Sequence, residues 1–225
     1  MKISVVVPVL NEEATVLSTL EMLESMKGDK EIVFVDGGST DQTKALIGDR
    51  ARIVHSPRGR ARQMNKGAES TTGEVILFLH CDSRVGPSVL ESISKAVLDP
   101  KAAGGGLTLE IDDPSLIFKI IAFGSNLRPR MSGIFFGDQG IFVKRSAFQE
   151  IGGFADIELM EDWDLCQRLK KCGKLVQIPE KITTSSRRWK KKGIWKTIWL
   201  MHKIKFLYLK GVTPLELNKI YTDER

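Results

Sequence analysis

Ile32-Val33-Phe34-Val35-Asp36-Gly37-Gly38-Ser39-Thr40-Asp41 is a short apolar run that stops abruptly on a carboxylate and two glycines. A second run of the same kind, Val75-Ile76-Leu77-Phe78-Leu79, stops at His80-Cys81-Asp82-Ser83. Apolar runs this short, bounded by turn residues, read as strands buried on both faces of a parallel sheet. Ligands of open α/β sheets sit beyond the carboxyl ends of the strands. A carboxylate at two such ends therefore points to one polar site built from both.

The rest of the first half fits the same pattern. Residues 3–10 form a Val-rich strand, and Asn11-Glu12-Glu13 opens a predicted helix reaching about Met26, with acids in its first turn. Strands are predicted near 31–35, 51–55 and 74–79, and helices near 41–47, 60–68 and 87–98. This β-α-β-α alternation indicates an α/β fold with a doubly wound, predominantly parallel core. The second half is less regular. Strands are expected at 103–111, within 133–143 and at 175–178, and helices at 115–127, 145–151 and 161–172. A linker is expected at 187–192, which divides a domain of residues 1–190 from a helical tail of residues 191–225.

Composition narrows the function classes. A chain of 225 residues buries a sizeable core without disulfides. Cys81, Cys166 and Cys172 are odd in number, scattered and form no Cys-x-x-Cys pair, which argues for reduced thiols in a cytoplasmic setting and against structural zinc. The chain shows no signal peptide and no apolar run long enough to span a bilayer. Charge is unevenly placed. Residues 170–225 carry 15 Lys plus Arg against 4 Asp plus Glu, a net of +11, while the remaining 169 residues carry a net of −5. A basic end on a mildly acidic body suggests an anionic partner surface. The aromatics of that end sit on an apolar helix rather than an exposed basic sheet, which argues against nucleic acid.

With Ile3-Ser4-Val5-Val6-Val7-Pro8-Val9-Leu10-Asn11-Glu12-Glu13 ahead of the two strand-end acids, the chain resembles the family 2 glycosyltransferases, and most of all a small bacterial-type subgroup without a separate acceptor domain. The resemblance covers roughly residues 3–190. It implies the GT-A fold, a single Rossmann-like domain with a mixed central sheet flanked by helices. It also implies inverting transfer of a sugar from a nucleoside-diphosphate sugar, with UDP-sugars favoured, to a lipid or small-molecule acceptor.

The family pattern assigns residues in turn. Asp36, Gly37, Ser39 and the Pro8, Val9, Asn11 and Glu12 stretch would line the nucleotide pocket. Asp82 matches the second acid of the family's Asp-x-Asp and is the expected ligand of Mn²⁺ or Mg²⁺. His80 replaces the first acid, and an imidazole there favours Mn²⁺ if it ligates. Arg60 and Arg62 open a helix near the expected diphosphate but point to different faces, so one of them is expected to engage it. Gly137-Asp138-Gln139 marks the acceptor side. Asp162, with Glu161 second, is the expected catalytic base that takes the acceptor proton. At a helix N-terminus the dipole favours the ionised carboxylate. Arg188-Trp189 matches the end of the Gln-x-x-Arg-Trp motif of processive relatives, but Ser185 replaces the Gln, which favours non-processive transfer.

Gly193–Leu209 reads as an apolar helix with Lys196, Lys203 and Lys210 on one stripe. Residues 187–210 therefore make an anionic membrane surface a candidate partner, placing the protein peripherally on the cytoplasmic face. Two rivals stand beside the enzyme reading. A nucleotidyltransferase would carry a Gly- and Lys-containing loop after the first strand, and residues 8–15 contain neither. A non-catalytic sugar-nucleotide or membrane adaptor that kept the fold is compatible with the altered Asp-x-Asp.

Overall fold

The computed structural model describes residues 1–223, with the side chains of Arg188, Lys191, Lys192 and Asp223 outside that description. Four parallel strands build its first half: β1 (Ile3–Val9), β2 (Lys30–Asp36), β3 (Arg52–His55) and β4 (Val75–Phe78). The second half adds β5 (Arg84–Val85), β6 (Ala102–Ile111), β7 (Ile141–Lys144) and β8 (Lys174–Thr184). All join one sheet in the order β3-β2-β1-β4-β7-β6-β8-β5. β7 runs antiparallel to both β4 and β6, and β5 runs antiparallel to β8, so the sheet is mixed. This is the α/β architecture expected from the sequence.

Both sheet faces are covered, which is why the strand sequences do not alternate. Val5 and Val7 join one apolar cluster, and Val6 between them joins the other. The helices supplying that cover are α1 (Val16–Ser25), α2 (Thr43–Ile47), α3 (Arg60–Glu69), α4 (Val89–Val97), α5 (Leu116–Ser132), α6 (Arg145–Glu150) and α7 (Glu161–Leu169). The glycines of β6 allow neighbouring backbones to pack closely: a Cβ on Gly105 would stand 1.8 Å from the Val176 carbonyl oxygen.

Three expectations are corrected. The first helix starts at Val16, not at Asn11. Asn11 has φ 56°, and the backbone N–H groups of Asn11, Glu12 and Glu13 donate to Ser39 Oγ, Thr43 Oγ1 and Asp41 Oδ2. Satisfied across the chain, those groups hold a loop in place of a helical turn. The strand predicted at 175–178 runs on to Thr184, paired with β6. The linker expected at 187–192 is the helix α8 (Arg187–Lys192), followed by α9 (Ile194–Leu209) and α10 (Pro214–Asp223). These last helices bury Leu200, Ile204 and Leu217 against Met160, just ahead of α7.

Candidate active site

The carboxyl ends of β1, β2 and β4 lie side by side, with Val9 in register with Asp36. At the β2 end, Asp36 is buried and accepts from Ser39 N at 2.9 Å and Gly38 N at 3.2 Å. Burial works to raise the Asp36 pKa, but the Ser39 hydroxyl and these loop N–H groups outweigh it and hold the carboxyl below its usual value. The Ser39 hydroxyl thus joins the Asp36 loop to the Asn11 loop. The Val9 side chain lies in the core, so only its backbone faces the loops. Gln63 on α3 donates to both Val9 O and Val35 O, clamping the two strand ends together. Its place in the helix opened by Arg60 and Arg62 was the only sequence signal for it.

Beyond β4, Cys81 is buried against Thr15 and Thr19, and burial pushes its thiol up to about 11, so it is an inert core residue. Asp82 is exposed. Burial chiefly, with the Asp82 charge adding, raises the Glu12 pKa against the pull of the Thr15 hydroxyl and Arg187. Glu12, Asp82 and Arg187 therefore share one electrostatic neighbourhood. Arg188, the arginine of the expected Arg-Trp pair, has its side chain outside the described residues. Trp189 packs edge-on against Phe118 of α5, ring centroids 6.4 Å apart.

His80 turns its ring under the acceptor-side loop. A Cβ on Gly137 would stand 2.6 Å from His80 Nε2, so any larger residue there would have to displace the ring. Nε2 has no partner, and burial, with Arg60 nearby, pushes the imidazole down to about 3, leaving it neutral. Asp138 Oδ1 and Gln139 Nε2 are likewise buried without partners. Burial raises the Asp138 pKa, opposed by Arg128 and Arg60 and reinforced by Asp82.

The start of α7 lies against this loop. Glu161 is buried and ion-paired to Arg60 at 3.3 Å. Asp162 accepts from Gly137 N at 2.9 Å and from its neighbour Trp163 N at 2.7 Å. Contrary to the dipole expectation, Asp162 is pushed up to about 7, by burial first and the Glu161 charge second. Arg62 pairs at the surface with Asp156, away from this cluster, so Arg60 is the arginine that faces it. Arg128 escaped the sequence reading. It donates to Ile134 O and Gln139 Oε1 and lies 4.1 Å from the Phe136 ring centroid, holding the 134–139 loop in place. Its position just past the helix expected at 115–127 carried no signal of this role.

Among the described residues, no three His, Cys, Asp or Glu side chains converge into a preformed metal cage. The donor set fits a different arrangement. Mg²⁺ and Mn²⁺ in diphosphate sites take one or two carboxylates and complete their shells with phosphate oxygens and water. Asp82 is exposed at a strand end and its charge reaches Glu12, so both are carboxylates of the kind such a shell would use.

The model of glycosyl transferase family 2 matches residues 4–154. A PGL/p-HBAD biosynthesis glycosyltransferase of Mycobacterium tuberculosis is 30% identical over 183 residues, covering 72% of this chain and 66% of the relative. The probable glycosyltransferase YdaM of Bacillus subtilis is 22% identical, covering 88% of this chain and 53% of its own length. The chain thus spans less than two thirds of these curated relatives. Among solved structures, the mannosyltransferase PcManGT of Pyrobaculum calidifontis, in complex with GDP-Man and Mn²⁺, superposes with a TM-score of 0.70 at 19% identity, over 90% of this chain and 61% of that one. Glucosyl-3-phosphoglycerate synthase of M. tuberculosis, in complex with Mn²⁺ and UDP, gives 0.59 at 20% identity, over 82% and 70%. These structural likenesses establish the GT-A fold.

Proposed function

The chain belongs to the family 2 glycosyltransferases, and on that premise we propose that it moves a sugar from a nucleoside-diphosphate sugar to an acceptor hydroxyl with inversion at the anomeric carbon. One observation carries the reading. The 137–139 loop joins two groups the reaction needs, since Gly137 N–H holds Asp162 and Asp138 senses the charge of Asp82.

Asp36, the Asn11 loop and Ser39 shape the nucleotide end of the site. Asp82, with Glu12, is the carboxylate that would hold Mn²⁺ or Mg²⁺ on the donor diphosphate; the ion supplies charge neutralisation for the leaving group. Arg60 and Arg187 add positive charge beside it. His80, neutral, is a ring donor or ligand at the same end. Asp162 takes the acceptor proton as the hydroxyl oxygen bonds the anomeric carbon and the bond to the diphosphate breaks. A carboxylate with a pKa near 7 is both ionised and proton-hungry at neutral pH. Gly137, Asp138 and Gln139 form the acceptor wall.

UDP is the favoured nucleotide, transfer is non-processive, and the acceptor is a lipid or a small molecule. The basic run of residues 187–210 supports peripheral attachment to an anionic membrane from the cytoplasmic side. A thermal-shift panel of UDP, GDP, CDP, dTDP and ADP with Mn²⁺, Mg²⁺ or EDTA tests the donor site, because a ligand of the native state raises the melting temperature. The expected result is a shift for UDP that needs the cation and disappears in Asp82→Ala. No shift for any nucleotide would return the chain to the adaptor reading.

A further inference from the structure

α5 is packed on one side only. Phe118 and Pro129 are its buried residues, whereas Leu116, Ile120, Phe123, Leu127 and Met131 face water, Phe123 at 70% exposure. Spacings of three and four residues put these five on one stripe. A contiguous apolar surface of that kind marks an interaction site. α9 repeats the pattern: Leu200 and Ile204 are buried, while Trp195, Trp199, Phe206 and Leu209 are exposed, Trp195 at 74%.

α8, the short helix just ahead of α9, ties the two to each other. Near the start of α5, Phe118 meets Trp189 and Asp113 pairs with Lys190 at 2.6 Å. Toward its end, Arg128 and Lys205 sense each other's charge. The cations of α9 lean along its aromatic rings, Lys203 4.7 Å from the Trp199 centroid and Lys210 5.6 Å from that of Phe206. This is how long basic side chains sit beside apolar surface with their charges outward.

Charge distribution indicates the occupant. No acidic residue lies between Asp113 and Asp138 or between Glu180 and Glu216, stretches that hold three and ten Lys plus Arg. A second copy would set the exposed Lys119, Arg130, Lys196 and Lys210 against themselves. Acyl chains rimmed by anionic headgroups complement both the apolar stripes and the charge. Among the described residues, no helix is long and apolar enough to cross a membrane, so contact would be in the plane of the surface.

We infer that α5 and α9 together form a docking face for an anionic lipid bilayer. The inference extends to α5 the membrane reading made above for residues 187–210, and it rests on that reading. It is tested by co-sedimenting the full chain with vesicles of phosphatidylcholine, alone or mixed with phosphatidylglycerol. The wild type is expected to partition onto the mixed vesicles and to release as salt rises. Ile120→Ser with Phe123→Ser on α5, and separately Trp195→Ser with Trp199→Ser on α9, are each expected to weaken partitioning at least about tenfold. These side chains are exposed, so far-UV circular dichroism should match the wild type. Unchanged partitioning of the α5 variant overturns the proposal, as does equal binding to neutral vesicles or no binding at all. So does a solution dimer that the α5 substitutions dissolve, which would assign the stripe to a second copy. Nucleotide-dependent thermal shifts in the same variants separate the two readings: they should stay at the wild-type value. A chain that partitions on its α5 stripe without any such shift would support the docking face and overturn the transferase reading.

Discussion

Glu161 and Asp162 are neighbours in sequence with opposite electrostatic fates. Arg60 pairs with Glu161, while Asp162 is left with backbone donors, deep burial and its neighbour's charge. As the proposed base, Asp162 with a pKa of about 7 predicts that transfer rises with pH through about 7. Asp162→Asn should remove that limb and lower kcat at least about 100-fold, with the donor thermal shift retained. Stability carries the same signature with the opposite slope. The folded pKa lies above the ordinary carboxylate value, so the folded state holds this proton more tightly than the unfolded chain. That stabilisation is complete below about pH 4 and is lost as pH rises through about 7. Urea midpoints across this range should fall more steeply for the wild type than for Asp162→Asn. Arg128 is the residue-scale support of the 134–139 loop. Arg128→Met leaves Ile134 O and Gln139 Oε1 without their guanidinium donor, and denaturant melts should show a loss of about 1–3 kcal/mol.

Among the elements, β6 and α9 carry the constraints least visible from local pattern. The Gly104-Gly105-Gly106 run looks flexible as sequence, yet β6 is central, flanked by β7 and β8. Gly105→Ala should cost at least about 1–3 kcal/mol in urea denaturation, because the added Cβ meets the Val176 carbonyl, a backbone atom that moves only with β8. α9 reads in sequence as a helix apolar on most sides. The structure divides that surface into a buried face, Leu200 and Ile204, and an exposed one bearing Trp195 and Trp199. Ile204→Ala should cost about 2–5 kcal/mol and also lower kcat, since Ile204 packs in the cluster that includes Met160 at the entry to α7.

For the whole molecule, the tail is packed onto the body, with Leu200, Ile204 and Leu217 buried against Met160. Removing residues 193–225 should uncover Met160 and Trp163 and lower the melting temperature by about 2–4 °C for each kcal/mol lost, with transfer activity lost as well. Point substitutions on the exposed faces therefore test the membrane reading more cleanly than truncation. The sequence by itself determined the parallel half-sheet, the placing of Asp36 and Asp82 at strand ends and the acids at the start of α7. Each of these follows from local apolar runs, turn residues and first-turn charge, all short-range properties of the chain. Only the tertiary structure decided that Asn11–Thr15 is a loop, because its N–H groups are satisfied by Ser39, Asp41 and Thr43 from another segment. It also decided that Arg60 rather than Arg62 faces the acids, that Arg128 and Gln63 support the site, and that Asp162 titrates near neutrality. Ion pairing, burial and desolvation depend on which distant segments meet, and no local pattern encodes that meeting.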